Sequence, residues 1–120
     1  MSLVRTSGHL LLSGIFISGG AQAFLEPDGR VSKVAEAGFP EPKQAVEFNG
    51  VVMIIGGALL ALGLVPKLAA MMLIGSLIPT TIVGHAYWKE ENEAGHKNHR
   101  THFLKNLGLL GGLLLVLTEK

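Results

Sequence analysis

The residues able to do chemistry gather at three helix-end stretches. Glu47 and Asn49 open one apolar run, His85 and Trp88 close the next, and His102, Lys105 and Asn106 open the last. A carboxylate, imidazoles and amides converging beneath charged loops could form a shallow polar pocket for a small molecule. Ionisable groups at membrane depth point to function because burying them costs a few kcal/mol or more. Near the ends of helices, snorkelling lowers that cost. The same residues therefore also fit a structural role. His102 and Asn106, at i and i+4, could cross-link helices, Tyr87 and Trp88 fit an interfacial aromatic belt, and Lys105 could reach for headgroups.

His96, His99 and His102 repeat at i, i+3, i+6. Neutral imidazole ligates zinc, copper or haem iron. On a helix this spacing turns through roughly 300°, so only adjacent pairs share a face. No H-E-x-x-H or C-x-x-C companion is present, and no metal site is predicted. The chain contains no Cys, which removes disulfides, thiolate catalysis and Cys-held clusters. It has no Ser-His-Asp set, no Gly-rich phosphate loop after a strand and no acid pair suited to glycoside chemistry, so no catalytic residue is assigned. Bis-His haem ligation would need facing imidazoles, and His9 is expected near the other membrane face from His85 and His102.

The elements that must position these groups are apolar. Hydrophobic residues make up 48% of the 120 residues and charged residues 16%, well below the roughly one quarter of a soluble domain. The charges cluster at 26–47 and 89–105. This predicts one all-α domain over 1–120, a bundle of four transmembrane helices apolar around their whole circumference through their middles. A soluble four-helix bundle would instead carry a charged stripe on each helix. A net charge of +1 argues against a nucleic-acid partner.

The first span runs from the flank of Arg5 and His9 through Leu10–Leu25. Its basic start and Ala21-Gln22-Ala23 also fit a secretory signal with an A-x-A site, but apolar character continues through Phe24 and Leu25. Residues 26–44 read as a loop, punctuated by Pro27-Asp28-Gly29 and Gly38-Phe39-Pro40-Glu41-Pro42, with room for an amphipathic turn at Val31–Ala37. The second span covers about Ala45–Leu64, with small-residue stripes at Gly50/Gly57 and Gly56/Gly63. Gly63-Leu64-Val65-Pro66 predicts a tight helical hairpin. The third span covers Lys67–Trp88 and is expected to kink at Pro79, with Thr80 and Thr81 re-satisfying the freed carbonyl. Residues 89–100 read as a polar connection before a fourth span, His102–Thr118, whose Gly108-x-x-x-Gly112 would be a close-packing face.

Four spans put both termini on one side. Arg5, Lys67 and Lys120 lie there, against Arg30, Lys33, Lys43, Lys89, Lys97, Arg100 and Lys105 on the other. The positive-inside rule then places 26–44 and 89–100 in the cytoplasm. A transporter is the weaker alternative, because one interrupted span falls short of paired broken helices.

Pro79-Thr80-Thr81-Ile82-Val83-Gly84-His85-Ala86-Tyr87-Trp88, an acidic and His-rich stretch, and His102-Phe103-Leu104-Lys105-Asn106-Leu107-Gly108-Leu109-Leu110-Gly111-Gly112-Leu113 resemble the DoxX family. Arg5 opening a span that ends near Gly19-Gly20, and Gly56-Gly57 before Gly63-Leu64, agree with it, so the likeness covers nearly the whole chain. The resemblance implies a four-helix membrane protein whose relatives include a terminal quinol oxidase subunit, proteins similar to thiosulfate:quinone oxidoreductase subunits, and members of oxidative-stress membrane assemblies. It departs from the family at Met53, where relatives often carry a Glu before the paired glycines; the nearest acid here is Glu47.

The implied function is a non-catalytic subunit or scaffold beside a quinone-linked or oxidative-stress redox complex in a bacterial plasma membrane. Its partners would be the lipid bilayer and either redox-complex subunits or a second copy. The alternative is a site for quinone, haem or a small molecule built from Glu47, Asn49, His85, Trp88, His102 and Asn106 on the second, third and fourth spans. No cofactor is predicted outright.

Overall fold

The structure, a computed structural model, describes residues 2–119. Lys120, counted above among the terminal-side charges, lies outside them. Five α-helices make up the described residues: α1 (Leu3–Leu25), α2 (Asp28–Glu36), α3 (Pro42–Ala61), α4 (Pro66–Gly84) and α5 (Glu93–Leu117), with a 3-10 turn at Tyr87–Lys89. No strand occurs among the described residues.

The long helices pack as antiparallel neighbours in the order α1, α3, α4, α5, while α2 lies across one end against α3 and α4. The longest extent is 46 Å, comparable to the roughly 40–45 Å of a bilayer with its headgroups. Three helical stretches are long and apolar enough to cross a membrane: Leu3–Leu25, Pro42–Ala61 and Pro66–Lys89. No more than 33% of each is buried inside the protein. Leu11 at 81%, Phe48 at 71% and Leu115 at 70% exposure show how apolar the outside is. Such a continuous apolar surface has a matching environment in lipid rather than water. The count of four spans is not reached by this criterion, because polar residues run through the first half of α5 from Glu93 to Asn106.

Several boundaries differ from expectation. The 26–44 loop contains the nine-residue α2, which Gly38 ends at φ 98°. Helix α3 starts at Pro42 rather than Ala45, because proline suits a first helical position where no N–H bond is needed. Helix α4 ends at Gly84 rather than Trp88, and the chain turns over His85 into the 3-10 turn. The polar connection expected at 89–100 is mostly helix. The Asn92 side chain caps α5 by accepting from Gly95 N–H, and Glu93 pairs with Lys97 one turn on at 3.2 Å.

The expected hairpin is present. Gly63 takes φ 69° and Val65 φ 38° before Pro66 opens α4. Helix α4 runs through Pro79, but Thr80 and Thr81 donate to Ser76 O and Leu77 O, both at 2.7 Å, not to the Gly75 carbonyl that Pro79 leaves without its usual donor.

Glycine sets the closest approaches. A methyl group added at Gly20 would lie 2.6 Å from the Gly50 carbonyl oxygen, and one at Gly50 would lie 2.7 Å from that of Gly20. Gly57 meets Ile17 on the same seam, while Gly56 faces Leu73 of α4. The two stripes read from α3 therefore serve two neighbours. The Gly108-x-x-x-Gly112 stripe is different. Nothing lies within 4 Å of a methyl at Gly108 or Gly111, and Gly112 makes only ordinary contact with Leu12. Within the chain it is not a close-packing face, because α5 approaches α1 only near the termini.

Candidate functional site

Between the long helices, at the end covered by α2, lies a cavity of about 1050 Å³. Phe16, Gly19 and Gln22 of α1, Arg30 and Lys33 of α2, Asn49 and Met53 of α3, Leu77, Thr80 and Val83 of α4, His85, and His99, His102, Lys105, Asn106 and Leu109 of α5 all contribute to its wall. Helices α1 and α5 meet closely at the other end, through His9 and Glu119. Away from that contact they diverge, which leaves the opening.

Of the six residues singled out from sequence, Asn49, His85, His102 and Asn106 share this wall. Glu47 and Trp88 do not line it. Glu47 is half-buried elsewhere on α3, and Trp88, 53% exposed, stacks edge-on with Tyr87 and Phe103. Amphipathic rings of this kind favour membrane interfaces in general.

Polar side chains tie the wall together. Asn49 Nδ2 donates to Thr80 Oγ1 at 3.1 Å and its Oδ1 accepts from Ser76 Oγ at 2.6 Å. Asn106, buried, donates from Nδ2 to Thr81 Oγ1 at 2.9 Å. These bonds couple α3 to α4 and α4 to α5. They also fix both amides at the cavity wall.

The imidazoles form a connected set. His85 Nδ1 lies 3.1 Å from His99 Nδ1, and the His85 and His102 rings stack with centroids 4.9 Å apart. A hydrogen bond between two Nδ1 atoms needs one protonated and one bare, so the pair shares a single proton across that contact. His99 Nε2 reaches Glu90 at 3.2 Å, and Glu90 also meets Lys33 at 3.5 Å. Lys105 Nζ lies 3.3 Å from His102 Nδ1. A hydrogen-bonded chain therefore runs from Glu90 through His99 to His85 at the cavity. The arrangement can bind a polar group, orient it and exchange a proton with it. No three His, Asp or Glu among the described residues are arranged around a point where a metal ion would sit.

Sequence reasoning missed His99, Glu90, Lys33, Arg30 and Gln22. The helical spacing of His96, His99 and His102 was the available signal. Adjacent His99 and His102 indeed both meet His85, while His96 packs against Tyr87. A second cluster was also missed. His9, 2% exposed, lies 2.8 Å from Glu119, which Arg5 approaches at 3.7 Å.

A family profile described as DoxX matches residues 7–86. "Inner membrane protein YphA" of Escherichia coli (strain K12) is 30% identical over 102 residues, covering 85% of this chain and 72% of that protein. No solved structure matches. The profile match spans α1 to α4 and stops at Ala86, so the imidazoles of α5 stand outside it.

Proposed function

The chain belongs to the DoxX family of membrane proteins, and from that premise we propose that it is a four-span bundle whose cavity holds an amphipathic molecule, with quinone, haem or another small ligand as the class. The observation that carries this reading is the cavity itself. Its wall is apolar at Phe16, Met53, Leu77 and Leu109 and polar at Asn49, His85, His102 and Asn106. Ligand sites are commonly concave, mostly apolar and equipped with a few placed polar groups. Glu47 and Trp88 take no direct part in this version of the site; they belong to the rim of the same membrane face.

The fourth crossing is α5. Its 25 residues would span roughly 37 Å at helical rise. The His9–Glu119 contact supports the crossing, since it needs the end of α5 beside the start of α1. The positive charges of 26–44 and 89–100 favour a cytoplasmic position for the cavity end in a bacterial plasma membrane.

A second reading is a non-catalytic subunit of a quinone-linked or oxidative-stress redox complex. The open faces of Gly108 and Gly111 favour it, because small residues there would admit a neighbouring helix from a redox subunit or a second copy.

Solvent extraction and optical spectra of protein purified in mild detergent test the ligand reading. An amphiphile in near-stoichiometric amount is expected from the native protein and much less from the His85→Ala/His102→Ala double variant. Identical extracts and spectra from the two would contradict it.

A further inference from the structure

The cations at the cavity are unequally matched. Lys33 is tied to Glu90 at 3.5 Å. Arg30 and Lys105, on α2 and α5, have no acidic partner within ion-pair distance among the described residues. Glu26 and Asp28 share the wall with Arg30, yet its guanidinium does not turn to them. Its Nη2 donates to the neutral amide of Gln22 at 3.2 Å. Lys105 likewise spends its ammonium on the His102 ring. A guanidinium and an ammonium thus border one cavity from different helices, neither of them ion-paired among the described residues.

Arg30 is half-buried and Lys105 exposed, so water screens the attraction of such a pair for an anion only in part. Charge-assisted bonds from Arg or Lys to carboxylate or phosphate are also about twice as strong as neutral ones. Below them the wall is apolar at Phe16, Met53 and Leu77. We infer that the ligand is an amphipathic anion, its carboxylate or phosphate held between Arg30 and Lys105 and its apolar chain lying along the α1, α3 and α4 walls. This rests on the ligand-cavity reading and adds the sign of the headgroup. The shared chemistry, an oxyanion on an apolar tail, could come from a free fatty acid or from an anionic phospholipid.

Native mass spectrometry from a neutral detergent tests this with four probes: oleate, phosphatidylglycerol, a neutral diacylglycerol and inorganic phosphate. Oleate or phosphatidylglycerol is expected to bind as one molecule per chain, and the Arg30→Gln/Lys105→Gln variant to weaken it by about tenfold or more. Binding of oleate alone assigns a fatty acid, binding of phosphatidylglycerol alone assigns a lipid headgroup, and both support the common chemistry. Diacylglycerol binding as tightly as the anions, with no loss in the double variant, would overturn the anionic assignment and leave the cavity reading standing. Phosphate binding as well as either amphiphile would overturn the role of the tail. Failure of every amphiphile to bind in a manner lost on filling the cavity with Val83→Trp would reject the cavity reading itself. Thermal melting checks each variant's fold, and if the double variant unfolds, Arg30→Gln alone is read by the same criteria.

Discussion

Gly50→Leu is expected to abolish the folded, monodisperse protein in detergent. The reason is what the new side chain meets. Even a single carbon at Gly50 would lie 2.7 Å from the Gly20 carbonyl oxygen and 3.1 Å from Phe24 N. Those are backbone atoms of α1, which cannot rotate away as a side chain can. Only separation of α1 from α3 would make room. Overpacking of a well-packed interior typically costs about 1–3 kcal/mol, and occasionally more. In lipid, where packing drives helix association, opening this seam forfeits the contact along Gly20, Gly50 and Gly57 together. Gly50→Ala should lower stability by an amount in the stated range. Gly108→Ala and Gly111→Ala, with nothing within 4 Å, provide the comparison. They should be neutral or stabilising by up to roughly 1 kcal/mol, as expected for a helix-interior glycine with open space. Unfolding of the four variants by thermal melt or by SDS titration checks the ranking. Equal stability of Gly50→Ala and Gly108→Ala would contradict it.

Glu119→Ala is expected to destabilise the protein by about 1–3 kcal/mol, the usual cost of leaving a buried polar group without its partner. Both Glu119 carboxylate oxygens lie within hydrogen-bond distance of His9 Nε2, at 2.9 and 2.8 Å. The other ring nitrogen, Nδ1, is buried with no partner. Removing the carboxylate would leave a 2% exposed imidazole bonded at neither nitrogen. It would also free Arg5 from its contact at 3.7 Å. Glu119→Gln keeps an acceptor and should retain most of the stability. The loss should fall on the α1–α5 seam, where Leu12 lies over Gly112. The same pairing predicts that Ser2→Cys and Thr118→Cys, introduced separately into this Cys-free chain, react with an impermeant thiol reagent from one membrane face. Labelling from opposite faces would remove the fourth crossing.

Much of the architecture was legible before the fold. The runs that became α1, α3 and α4 are apolar on every face, so no other element assignment accommodates them, and Gly63 through Pro66 carries its turn chemistry locally. What escaped depended on partners far along the chain. Residues 93–100 show no apolar stripe because the inward face there is built from imidazoles: His96, His99 and His102 pack on Tyr87 and His85. Hydropathy therefore reads a helix as a loop. The Gly108-x-x-x-Gly112 motif looked as suited to packing as Gly50 and Gly57, since composition does not say which glycine faces a neighbour.

The candidate site divides the same way. Convergence of Asn49, His85, His102 and Asn106 followed from antiparallel spans of similar length, which bring alternate helix ends to one level. Rotation about each helix axis was not available, and it is rotation that keeps Glu47 off the cavity wall two positions before Asn49. Met53 lies on the wall, and Asn49 one turn earlier carries the polar contacts to Ser76 and Thr80.

The most direct test of the central claim, that the cavity holds an amphiphile, compares the native protein with Val83→Trp by native mass spectrometry. Val83 is on the cavity wall and outside the buried core cluster, so an indole there should fill space without disturbing the helix seams. The account predicts one amphiphile bound per native chain, none on the variant, and the same melting temperature for both once lipid has been stripped. A ligand retained in full by Val83→Trp, or a native chain that carries none from the membrane, would contradict it.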